Sequence, residues 1–149
     1  MIIDGLLQFD PALSAITVTR ASTNTIDLLN ARDIGGPGNP SMWLYVGVNA
    51  AFTAGGAATL VIQMQQSVDN STWVTEGETR ALSISDLTPI NRVMIASWPM
   101  RLASDALPRY LRLNYVVATG PMTAGSVNAQ LVLDPQAYGQ YPAGINITN

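Results

Sequence analysis

The sequence contains no cysteine, no histidine and no lysine. Each absence removes a class of chemistry. Without Cys there is no disulfide frame, no thiolate nucleophile and no zinc-thiolate site. Without His the commonest acid/base group is gone, and with it Ser-His-Asp catalysis, Cys-His catalysis and histidine-rich metal centres. Without Lys there is no Schiff-base amine. Charge is scarce too: 11% of residues are charged, against roughly 25% in an average soluble domain. No apolar run approaches the ~18 residues that would suggest a membrane span, and no secretory leader is discernible. A soluble protein with no membrane partner is expected.

What remains is carboxylate chemistry, and it lacks a setting. Glu76 and Glu78 stand two apart in Trp73-Val74-Thr75-Glu76-Gly77-Glu78. On a strand they would share one face at roughly 7 Å, a separation near that of a glycosidase pair. Such pairs come from different elements around a cleft, whereas this run reads as one strand entering a loop, so a solvated face is expected. No Asp-Thr/Ser-Gly tripeptide occurs to build an aspartic-protease dyad. Gly35-Gly36-Pro37-Gly38 lacks the following Lys-Ser/Thr of a phosphate cradle. Asp69 and Asn70 offer too few hard oxygens for calcium. The residues point away from an enzyme and require no cofactor or metal.

Apolar residues make up 48% of the chain, so Ser, Thr, Asn, Gln and Gly must dress the surface. Such a surface repels itself weakly and is cheap to desolvate, which suits faces covered by partners; an uncharged monomer is the plainer alternative. All seven basic residues are Arg, the cation favoured at interfaces. A net charge of −3 with dispersed Arg argues against nucleic acid, which needs clustered cations. Arg109 and Arg112 around Tyr110 read as the start of a strand. Trp43, Trp73 and Trp98 could stack on a sugar, but in a β-rich chain they more often serve core or interface.

Period-two alternation recurs along the chain, and no window carries a capped helical pattern. Ile16 and Val18 alternate with Thr17 and Thr19. Met42, Leu44, Val46 and Val48 alternate with Trp43, Tyr45 and Gly47. Leu60, Ile62 and Met64 follow, with Thr59, Gln63 and Gln65 turned outward. Leu111, Leu113, Tyr115 and Val117 alternate with Arg112 and Asn114, and Val127, Ala129, Leu131 and Leu133 with Asn128 and Gln130. Each is a half-buried strand. Weaker strands are expected at about 25–29, 72–76, 80–84 and 92–98, and Ser85-Asp86-Leu87-Thr88-Pro89 could hold one helical turn. Gly- and Pro-rich stretches separate these runs. Roughly eight or nine short strands predict an all-β, single-domain, two-sheet sandwich. Leu44, Val46, Leu60, Ile62, Leu111, Leu113, Leu131 and Leu133 should face its core.

The sandwich should span 14–133 within a single domain of residues 1–149. Residues 1–13 and 134–149 read as extended N-terminal and C-terminal arms, with a frayed or self-packed terminus as the alternative at each end. If they grip a partner, Leu6, Leu7, Phe9, Tyr138 and Tyr141 are the anchors, since large apolar and aromatic side chains dominate interface energetics. Low charge with exposed Tyr and Trp also suggests a homo-oligomer, a dimer first and a trimer second.

Several segments together resemble the Bbp16-like capsid cement, or decoration, proteins of short-tailed bacteriophages. They are Met1-Ile2-Ile3-Asp4 through Leu7, Phe9 and Asp10; Ala21-Ser22-Thr23-Asn24-Thr25-Ile26-Asp27-Leu28; Ala31-Arg32-Asp33-Ile34-Gly35; Leu44-Tyr45-Val46-Gly47-Val48; and Ala51-Phe52-Thr53-Ala54 leading to Ala58-Thr59-Leu60. Gln66-Ser67-Val68-Asp69-Asn70-Ser71 and the run from Arg109-Tyr110-Leu111-Arg112-Leu113-Asn114-Tyr115 to Leu131-Val132-Leu133-Asp134 complete the likeness. It is specific by order and breadth rather than by any single motif. The resemblance implies a jelly-roll-like sandwich, made in the host cytoplasm, that sits on the outer surface of the virion capsid and ties neighbouring major capsid protein subunits together. The competing class is a carbohydrate- or receptor-binding β-sandwich module of a tail fibre or secreted protein, which would present exposed aromatic rings along a groove.

Overall fold

The computed structural model describes residues 4–31, 42–89, 92–98 and 107–133. Nine strands are formed there: β1 (Arg20–Ala21), β2 (Ile26–Asp27), β3 (Trp43–Ala54), β4 (Thr59–Ser67), β5 (Val74–Glu78), β6 (Leu82–Ser83), β7 (Arg92–Ser97), β8 (Tyr110–Ala118) and β9 (Met122–Val132). The four long strands carry the clearest alternation in the sequence. A single 3-10 turn, Gly5–Leu7, is capped by the Asp4 side chain, which accepts from the Leu6 amide at 2.9 Å.

Two antiparallel sheets result. One has the order β7-β3-β9. In the other, β4 and β8 form the centre; β5 and β6 pair with β4, and β1 and β2 with β8. The pairing of β3 with β9 and of β4 with β8 is nested, first with last and second with second-last, which is the jelly-roll-like part of the topology. Inner side chains of both sheets meet in one core that includes Leu44, Val46, Phe52, Leu60, Ile62, Leu111, Leu113, Met122 and Leu131, all essentially buried. Removing each such side chain from water stabilises the fold by about 1.5–3 kcal/mol.

The N-terminal segment closes one side of the sandwich. The Phe9 amide donates to the Ala129 carbonyl and the Ile16 amide to that of Gly125, both at 2.9 Å, and the Met122 amide returns to the Thr17 carbonyl. Gln8 bridges Gln130. Further along, Ser22 and Leu28 donate to Leu113 and Arg109, so residues 8–28 cross from the edge of β9 to the edge of β8. Open strand edges invite association with other chains, and here two of them are covered from within. Phe9 and Ile16 are fully buried, and the Phe9 ring stacks on Trp98 with centroids 5.9 Å apart.

Some register expectations fail for physical reasons. Leu133 lies just past the end of β9 and is 64% exposed, whereas Val132 before it is buried. Val18 is 58% exposed, because residues 13–17 run as coil and only Arg20–Ala21 join a sheet. Gln65 and Gln130, expected outward, are buried: neighbouring strands flank Gln65, and the N-terminal segment crosses Gln130. The helical turn expected at 85–89 is instead a pair of tight turns, Asp86 amide to Ser83 carbonyl and Leu87 to Ile84. Close packing also fixes Gly125, whose φ is +131°; a Cβ there would lie 2.3 Å from the Phe52 ring.

Candidate partner-binding face

The outer face of the β4–β5–β8 sheet is assembled by strict alternation. While Leu60, Ile62 and Met64 point into the core from β4, Gln63 and Gln65 point out; from β8, Leu111, Leu113 and Tyr115 point in while Arg112 and Asn114 point out. Antiparallel pairing sets Asn114, Gln63 and Glu78 in one row across three strands, and Arg112, Gln65 and Thr75 in the next. Each row is threaded by an amide. Asn114 Nδ2 donates to Gln63 Oε1 at 2.8 Å, and Gln63 Nε2 to Glu78 Oε2 at 2.9 Å. Arg112 Nε donates to Gln65 Oε1 at 2.8 Å, and Gln65 Nε2 to Thr75 Oγ1 at 3.1 Å. Such cross-strand pairs hold side chains in place on a flat surface.

Arg112 completes the face by stacking over the half-buried Trp73 ring, 4.0 Å from its centroid. Among the described arginine side chains, Arg20, Arg80 and Arg109 pair with carboxylates, whereas Arg112 does not. Partial burial pulls its pKa down, as expected for a cation compensated by a ring and an amide rather than an anion. At the neighbouring corner Arg109 forms a two-pronged bridge to Asp27, 2.8 Å on each arm, and lies 4.9 Å from the centroid of Tyr110. The bridge holds the Asp27 pKa below the usual aspartate value. A rigid, flat face bearing Trp, Arg and Tyr has the composition that dominates protein interfaces.

The sequence-derived anchors fall elsewhere. Leu6 is 81% exposed, Leu7 is half-buried against the core, and Phe9 is core itself. Phe9 is therefore corrected from a partner anchor to the residue that pins the segment to its own sandwich. Tyr138 and Tyr141, with the C-terminal arm, lie outside the described residues. Glu76 and Glu78 do not share a face: a bulge in the pairing of β4 with β5 shifts the register, so Glu78 bonds outward-facing Gln63 while Glu76 bonds Gln66 on the other side of β4. Of the tryptophans, Trp98 is core and Trp73 lies beneath Arg112. Among the described residues no three carboxylates gather to hold a metal ion, and no helix is long and apolar enough to cross a membrane. The Arg112–Trp73 stack was the feature missed from the sequence, since it depends on hairpin register between residues far apart in the chain.

These features define an all-β sandwich that presents a hydrogen-bonded sheet face. The chain belongs to the phage-associated Bbp16 family, whose model matches residues 12–131. No match is found among curated proteins.

Proposed function

We propose that the protein is a capsid cement protein, seated on the outer surface of a bacteriophage head and tying neighbouring major capsid subunits together against the pressure of packaged DNA. The observation that carries this reading is membership of a phage-associated family over residues 12–131, the stretch that builds the sandwich. The Trp73–Arg112 face supplies a preorganised surface, and ordering it in advance lowers the entropy lost on binding. A clamp that binds the assembled lattice and not the free subunit stabilises that lattice by mass action. Many copies on a symmetric shell add avidity without any one contact being strong. Self-association as a closed dimer, or next a trimer, belongs to the same proposal.

The test is to add purified protein to heads lacking it and to measure both occupancy and the temperature of DNA release. Occupancy should saturate at a fixed ratio to the major capsid protein, and DNA release should move to higher temperature. Replacing Trp73 and Arg112 together with Ala should lower occupancy while the protein's own melting temperature changes little. Absence of binding to mature heads at micromolar protein overturns the proposal.

A further inference from the structure

At the end of the β4–β5 hairpin, away from the Arg112–Trp73 stack, lies a half-open notch of about 200 Å³ lined by Gln66, Ser67, Val68, Thr72, Val74, Glu76 and Pro108. Its walls are apolar and open to solvent: Val68 and Val74 are 50% and 55% exposed, and nearby Leu107 is exposed as well. Its polar end is a carboxylate. Gln66, itself 95% buried by its 5% exposure, donates Nε2 to Glu76 Oε1 at 2.5 Å and so fixes one oxygen of that group. No cation among the described residues pairs with Glu76.

We infer that this notch receives a lysine side chain from a different protein. An aliphatic stem ending in a cation matches apolar walls that end in an anion, because long basic side chains bury their methylenes while keeping the charged head paired or wet. The geometry selects between the two basic residues. Arginine gains most from a carboxylate when its planar fork engages both oxygens, but Gln66 already holds Oε1. One free oxygen suits the compact ammonium of lysine, a point charge with rotatable donors. This chain contains no lysine, so a second copy of it cannot supply the group and the occupant must come from another protein. The inference rests on the proposed capsid role only for the identity of that protein, not for the chemistry of the notch.

The experiment uses the intact chain with N-acetyl-lysine methylamide as probe, followed through the NMR signals of the Val68 and Val74 methyl groups. The arginine and norleucine analogues serve as comparators. Saturable shifts at millimolar lysine probe are expected, with clearly weaker binding of both comparators. Glu76→Gln, which keeps an acceptor for Gln66, should weaken lysine binding by about tenfold or more, as loss of a charged hydrogen bond implies. Val74→Ser, with Glu76 intact, should weaken it too. No saturable shift, equal or tighter binding of arginine, or indifference to Glu76→Gln overturns the inference. Occupancy on heads separates the two proposals. Normal occupancy by the Glu76→Gln chain removes the notch as a shell contact and leaves the cement reading standing; lysine binding by a chain that never binds heads does the reverse.

Discussion

The Tyr115 hydroxyl donates to the Asp10 carboxylate, joining residues 105 positions apart in the interior. The other Asp10 oxygen accepts from Arg20 Nη1 at 3.0 Å and from the amide and hydroxyl of Thr23, each at 3.2 Å. Arg20 in turn donates to the carbonyls of Ser14 and Ala21 and lies over the Tyr115 ring. A buried carboxylate survives only when satisfied in this way. Tyr115→Phe should therefore cost about 1–3 kcal/mol in urea denaturation. Asp10→Ala should cost more, about 3–5 kcal/mol, because it strands a partly buried guanidinium.

Burial, with Asp10 beside it, pushes the Tyr115 pKa well above the ordinary value of 10.0. In the unfolded chain this phenol ionises near that value, while in the folded chain it keeps its proton. The native state thus binds more protons above pH 10, and stability falls as pH rises past it. In a spectrophotometric titration one of the five tyrosines should ionise only as the fold is lost, and the late step should be absent from Tyr115→Phe.

Acid should act through different groups. Asp27, Asp69 and Asp86 all have pKa values lowered from 3.8: the first by Arg109, the second by the amides of Thr72 and Ser71, the third by Arg80 and then the Ser83 amide. A carboxylate depressed in the folded state contributes stability above its unfolded pKa and loses it as pH falls through the folded value. Melting temperature should hold from neutral pH to about 4 and decline below it. The Asp27 and Asp86 contributions should shrink at high salt, since both pairs are exposed.

Gly125→Ala should be among the most damaging substitutions of a single methyl group in the chain. The added carbon meets the Phe52 ring, and the φ of +131° disfavours any side chain. Overpacking alone costs about 1–3 kcal/mol, and backbone strain adds a similar amount. Thermal unfolding of Gly125→Ala and of a Phe52→Leu, Gly125→Ala pair should show partial rescue in the pair, where the flat ring that fills the site is gone.

Leu113→Ala should cost about 2–5 kcal/mol, since the side chain is wholly buried. Leu133→Ala, at an exposed position beyond β9, should change stability by less than about 0.5 kcal/mol. A denaturant titration of both reports the register at the end of that strand.

The contrast between these two leucines marks what alternation can reveal. Within β3, β4 and β8 an apolar residue at every second position faces a core because neighbouring strands hold the pleat flat, and Leu44, Val46, Leu60, Ile62, Leu111 and Leu113 obey it. Periodicity does not say where a strand stops, so Leu133 was carried one step too far, and Ile16 and Val18 were taken for a strand where the chain is coil. Nor does it say which polar residues become covered. Gln130 is buried by a segment that passes over it from the other end of the sequence. The residues of the candidate face were each visible as outward-pointing positions, but the Arg112–Trp73 stack arises from pairing β8 with β4 and β4 with β5. The bulge that turns Glu76 away from Glu78 left no mark in their spacing.

The seam made by residues 8–28 also fixes an order of events in time. Those residues leave the ribosome first, yet the strands they bind, β8 and β9, end at Val132. At about 5–20 residues per second, Phe9 and Ile16 wait several seconds with no groove to enter. Contacts so distant along the chain slow folding, because the loop between them must close before any of them forms. During that wait the edges of β8 and β9 stand open, and crowded chains can exchange their N-terminal segments to make a swapped pair. Refolding at low concentration should therefore return more monomer than refolding at high concentration.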